Sequence, residues 1–176
     1  SDVGHILYRY DGSGYYSIHV ISVYATKENL YTFFKELAIH FKNLKTGKET
    51  DAAIPNTEGQ VTWANDNKTI FYSKKDSVTL RSNRIYKHKL GADPSGDPLI
   101  FEEKDETFYT GVYKTKSNKY IIIWSGSTLT NYFQTLDANA PDSKFKEFSP
   151  RERGLEYSID HYGDKFYVVT NLDAQN

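Results

Sequence analysis

Cysteine and methionine are both missing from these 176 residues. Without cysteine there is no disulfide, no thiolate metal site and no cysteine nucleophile. Methionine starts a natural chain, so a sequence without it reads as a piece of a longer protein. No charged-then-apolar leader opens it, and in a piece that says nothing of where the parent resides. No apolar run approaches the roughly 18 residues a membrane-spanning helix needs. A formal charge of −1 gives no electrostatic reason to expect nucleic acid or a membrane as partner. Catalytic signatures are missing too. No Gly-x-Ser-x-Gly elbow is present, so Ser127 beside Gly126 reads as a turn residue. Gly12-Ser13-Gly14 fails the dinucleotide fingerprint and reads as a hairpin turn, and no phosphate-binding Walker loop occurs.

Aromatics are abundant instead, at 15% with 15 Tyr and 10 Phe, while hydrophobic residues make up only 38%. Such residues favour strands and supply buried area. The stretch from Thr107 to Phe148 shows the pattern well. Thr107–Lys114, Lys119–Ser125 with its Ile121-Ile122-Ile123-Trp124 run, Thr128–Leu136 and Lys144–Phe148 are four short strands. Gly, Asn, Ser and Pro punctuate them, as expected of consecutive antiparallel strands.

The unit recurs. A turn before an apolar strand appears at Gly14, Lys68, Lys119 and Lys165, spaced by 54, 51 and 46 residues. Leu44, Leu90 and Leu136 each close a third strand, and successive members are 46 residues apart. Each Leu leads through a polar loop to a short strand, at Ala52–Pro55, Pro98–Glu102 and Lys144–Phe148. A period near 40–50 residues with four strands per unit is the signature of propeller blades. An antiparallel sandwich is the alternative on pattern alone.

Two strands flank Asp11–Gly14. Thr26–Lys35 reads as a short helix or irregular loop, and Glu36–Leu44 as a strand. Trp63 and Phe71 are expected in the core of a hairpin turning at Asn65–Lys68, and a last hairpin pairs Glu156–Asp160 with Lys165–Thr170. His5, His19, His40, His88 and His161 are scattered without metal-site spacing. No metal and no cofactor are expected. Lys74, Lys75, Arg81, Arg84, Lys87 and Lys89, with Tyr86 among them, form a basic segment. A nucleic-acid face is conceivable there, but a solvated loop and strand face is preferred given the balanced charge. The acidic run Glu102, Glu103, Asp105, Glu106 reads as a solvated loop able to attract basic peptides. From the residues alone, the chain is a binding or scaffold module without a reaction of its own.

Specific segments then carry a family resemblance. Val61-Thr62-Trp63-Ala64-Asn65-Asp66 with Thr69-Ile70-Phe71-Tyr72 resembles a blade of the N-terminal propeller of oligopeptidase B (protease II), in the prolyl oligopeptidase family of serine peptidases. Arg84 to Gly91, Phe101 to Tyr109, Lys114 to Ile121, Leu136-Asp137-Ala138, Pro150 to Arg153 and Glu156 to Tyr162 follow the same pattern. The resemblance runs from Phe41 to Asn171 and does not extend before Glu36. It implies an all-β fold of antiparallel four-stranded blades, about three and an incomplete fourth of a seven-bladed β-propeller, spanning 36–176. Residues 1–35 are then a divergent N-terminal segment.

The family's propeller caps an α/β-hydrolase domain that cleaves short peptides after Arg or Lys. The resemblance therefore implies a non-catalytic portion that gates such peptides, with that hydrolase domain and short basic peptides as partners. The triad lies in the domain absent from this sequence, so no catalytic residue is assigned. Arg151, Arg153, Glu156, Asp160 and His161 are the residues expected to face the catalytic domain or the substrate route. Ion pairs within the propeller, such as Glu156 with a nearby Arg, are the alternative. A free-standing propeller-like module binding peptides or proteins is the alternative for the whole chain. A cytoplasmic location is expected over a periplasmic one. Unclosed blades leave open strand edges, so strand-mediated oligomers are expected.

Overall fold

The computed structural model describes residues 5–9, 16–21, 38–43, 46, 48 and 52–174. Its strands are β1 (His5–Arg9), β2 (Tyr16–Ile21), β3 (Ala38–Asn43), β4 (Thr57–Trp63), β5 (Thr69–Lys75), β6 (Ser82–Lys89) and β7 (Leu99–Glu102). These are followed by β8 (Tyr109–Lys114), β9 (Tyr120–Gly126), β10 (Asn131–Asp137), β11 (Lys146–Glu147), β12 (Tyr157–Tyr162) and β13 (Lys165–Thr170). They form four antiparallel sheets in sequence order: β1-β2-β3, β4-β5-β6-β7, β8-β9-β10-β11 and β12-β13. Each is one blade.

The expected strand over Glu36–Leu44 is present as β3. The Asp11–Gly14 turn and the proposed helix or loop over Thr26–Lys35 lie outside the described residues. β1 and β2 fall before residue 36 and pair with β3 after it, Ile18 opposite Phe41 and Val20 opposite Ile39. The fourth position of this blade is a single bridge rather than a strand. Ile39 and Ile54 exchange both backbone hydrogen bonds at 3.0 Å.

Turn chemistry fixes the hairpins. Asp66 Oδ1 accepts the N–H groups of Lys68 and Thr69, and its Oδ2 accepts the Thr69 hydroxyl at 2.7 Å. Asn67 between them sits at φ 56°, a left-handed conformation that Asn tolerates. Asn118 plays the same part before β9 at φ 58°.

Period-2 alternation then sends one face of each strand to the preceding blade and the other to the next. In β5, Ile70 and Tyr72 join Ile39, Phe41 and Ile54 of the first blade, while Phe71 joins the third. In β9, Ile121 and Ile123 pack with Ala64, Phe71 and Ile85 of the second blade. Ile122 turns the other way, to Phe133, Tyr157 and Ile159 at the seam with the fourth. All three isoleucines are fully buried. Each contributes about 1.5–3 kcal/mol by leaving water.

The repeat slips by one residue in the last blade. Ile70 and Ile121 lie two positions after Lys68 and Lys119, but the residue packed back onto the third blade is Phe166, one position after Lys165. Its ring meets those of Tyr120 and Phe148 at 5.0 and 5.1 Å. The cause is a shorter turn: Tyr162 pairs directly with Lys165 across Gly163-Asp164, with Gly163 at φ 61°. The opposite face of β13, carrying Tyr167 and Val169, is 59% and 76% exposed at those residues.

Candidate functional site

Because the strands alternate in direction, each connection between blades lies at the same end as the turn joining a blade's two middle strands. Three such segments converge at the third blade: the β7–β8 connection, the β9–β10 turn and the β11–β12 connection. They enclose a cavity of about 600 Å³ lined by Asp105, Phe108, Thr128, Leu129, Arg151 and Arg153 among others.

Its frame is built from buried charge. Arg81 donates from Nη1 to the carbonyls of Asp105 (2.9 Å) and Phe108 (2.6 Å), and from Nη2 to that of Glu103 (3.3 Å). Three carbonyls of one connection are thereby satisfied by one guanidinium, which curls the loop. Asp105 caps the same loop through Thr107, whose hydroxyl and N–H hold its carboxyl below the usual carboxylate range. Glu103 is buried and pairs with Arg151, from Nη1 to Oε1 at 3.3 Å and from Nη2 to Oε2. The Arg151 guanidinium also lies 4.4 Å from the Phe108 ring centre and 4.8 Å from that of Tyr132. Two aromatic faces and a bidentate carboxylate leave it one orientation. Glu103 holds Arg151 above its ordinary pKa, so the charge is permanent.

Arg153 extends exposed from the same connection, and Gly154 anchors that connection by donating its N–H to Thr130 Oγ1 at 3.0 Å. The lining thus offers a fixed cation, an exposed cation, hydroxyls and the apolar Phe108 and Leu129. Ser127 in the lining donates to the Thr130 carbonyl at 3.4 Å, as a turn residue does. The arrangement can bind and orient.

Of the five residues singled out in the sequence, only Arg151 and Arg153 meet here. Glu156 is exposed at the start of β12, where its backbone is tied to Asn171. Asp160 and His161 lie toward the far end of β12 and clamp the β8–β9 turn. Asp160 Oδ1 accepts the Lys116 N–H at 3.0 Å, while His161 Nδ1 meets Ser117 Oγ at 2.8 Å. Burial raises the Asp160 pKa, but the N–H groups of Lys116 and His161 outweigh it and hold the carboxyl below its ordinary value. The partner of Arg151 is Glu103, not Glu156. Sequence reasoning missed Arg81 and Glu103. The acidic run around Glu103 is not a uniformly solvated loop, and nothing local marks a partner 48 residues away.

A family model described as the prolyl oligopeptidase N-terminal β-propeller domain matches residues 35–176. The chain belongs to the prolyl oligopeptidase family. Dipeptidyl aminopeptidase BI of Pseudoxanthomonas mexicana is 38% identical over 140 residues, covering 80% of this chain and 19% of that protein. Protease 2 of Moraxella lacunata is 34% identical over 140 residues, with 78% and 20% covered. Among solved structures, oligopeptidase B from Leishmania major superposes with a TM-score of 0.79 at 23% identity, over 97% of this chain and 23% of that one. The chain spans about a fifth of the length of the curated relatives it matches. The four sheets are therefore blades of a prolyl oligopeptidase propeller, and the sandwich alternative is excluded.

Proposed function

We propose that this chain is the non-catalytic propeller portion of a serine oligopeptidase of the oligopeptidase B type, gating short Arg- or Lys-containing peptides on their way to a separate α/β-hydrolase domain. The observation that carries this reading is the match of residues 35–176 to the family's N-terminal propeller, in a chain a fifth as long as its relatives. The cavity around Arg151 supplies a surface suited to the task. Arg151 is locked in place and Arg153 projects from the same rim, ready to meet carboxylates of the hydrolase domain or of a peptide. Asp160 and His161 serve the seam between the third and fourth blades instead. Purified chain is expected to leave Arg- and Lys-ending reporter peptides uncut. Hydrolysis that copurifies with the folded chain would sink the reading. In the parent gene, a segment beyond Asn176 carrying Gly-x-Ser-x-Gly supports it, whereas a stop codon there makes the chain a free-standing binding module.

A further inference from the structure

One blade before the Arg151 cavity, at the same end of the sheets, a second cavity of about 320 Å³ opens against β5 and β6. Its lining includes Asn56, Lys74, Lys75, Asp76, Arg84 and Tyr86, so it gathers part of the basic segment seen in the sequence. Two others of that segment are engaged elsewhere. Arg81 frames the neighbouring loop, and Lys87 Nζ pairs with Asp142 at 2.7 Å.

Within the lining, Lys74 and Arg84 are register partners on adjacent strands, so two like charges face each other directly across the ladder. Such a pair is unfavourable unless an anion joins it. Neighbouring carboxylates do so incompletely. Asp76 approaches Arg84 Nη2 through Oδ2 at 3.5 Å, while its Oδ1 accepts the N–H groups of Val78 and Thr79. Glu102 stands 3.7 Å from Arg84 Nε, which is buried and makes no hydrogen bond. Lys75 is matched by Glu58 at 3.5 Å. Lys74 is held over rings instead, its Nζ 5.1 Å from the Tyr86 centre and 5.8 Å from that of Tyr72. The acid behind those rings, Asp97, is bound by the Tyr72 hydroxyl at 2.8 Å and by His88 Nδ1 at 2.9 Å. Burial holds the Lys74 ammonium below its ordinary pKa, against the pull of Asp97 and with a smaller push from Arg84.

We infer that this cavity is a carboxylate-binding site, taking one peptide carboxylate between Lys74 and Arg84 with the attached side chain against Tyr86. Lys74 sets the ligand's sign: among the described residues it is the lining cation with no carboxylate at ion-pair distance, and an acidic group beside it would relieve its repulsion with Arg84. Asn56 and Ser77 at the rim can meet a peptide backbone. The volume lies at the small end of ligand sites, about 300–1,000 Å³, which fits a terminal residue rather than a folded surface. This goes beyond the peptidase reading, because binding needs only this chain, and it can fail while that reading stands.

The test is titration of the 176-residue chain with acetyl-Gly-Gly-Phe as free acid and as amide, followed by NMR or calorimetry. The acid is expected to bind about tenfold or more tighter than the amide. Inorganic phosphate at matched ionic strength is expected to bind more weakly than the acid. Lys74→Ala should abolish the preference for the acid, and Lys75→Ala should keep it. Should Lys74→Ala fail to fold by circular dichroism, Lys74→Arg, expected to retain the preference, is compared with Lys74→Gln, expected to lose it. Equal binding of acid and amide overturns the inference. So does tighter binding of phosphate, or a preference unchanged in Lys74→Gln.

Discussion

Among the described glycines, Gly111 leaves the least room for a side chain. A Cβ built there would stand 2.6 Å from Trp124 Nε1 and 2.9 Å from Trp124 Cε2, so a rigid indole, directly opposite across β8 and β9, would have to move. Gly111→Ala is expected to lower stability by about 1–3 kcal/mol through overpacking, read from urea unfolding midpoints. Asp160 sets a different residue-level expectation, in pH. Its carboxyl is held below its ordinary value of 3.8 in the folded chain, so its contribution is present above the unfolded pKa and is lost as pH falls through the folded one. Asp160→Asn should therefore flatten the acid limb of a stability-versus-pH curve below pH 4. Identical acid limbs for variant and parent would show that the Lys116 and His161 bonds do not act through ionisation.

At the level of elements, β9 and β13 are the same strand in two settings. Ile122 is fully buried between the third and fourth blades, whereas Val169 stands on a face that nothing among the described residues covers. Ile122→Ala is expected to cost about 2–5 kcal/mol and Val169→Ala less than about 0.5 kcal/mol, compared in the same denaturant titration. The strands were legible in the sequence because each obeys period 2 and ends at a turn residue with a mechanism, as Asp66 and Asn67 do before β5. The buried run Ile121 to Ile123 was legible for the same reason, while Trp124 beside it is only half-buried. The slip at Phe166 was not, since a turn shorter by two residues leaves no trace in composition. The candidate site was legible only in part. Arg151 and Arg153 stand out as charges in a motif, but Glu103 and Arg81 act across blades, and loop residues carry no periodic signal that pairs them.

For the whole molecule, the last blade ends in an uncovered sheet. β13 pairs only with β12 among the described residues, and its outward face presents Tyr167 and Val169. Free ladder groups beside apolar side chains invite another strand. The chain is expected to associate with rising concentration in light scattering, and Val169→Lys to reduce that association. A single monomeric mass across the range would count against strand-mediated contacts. The Glu103–Arg151 pair described above has a mechanical consequence. Arg151 sits on the strap leading out of the third blade, and Glu103 on the strap leading into it. Both ends of that blade are thus tied at one point, so a pull on the chain's C-terminal side loads this ionic rivet before it strains the third blade's own strands. Peeling would start in the fourth blade and pause at that rivet.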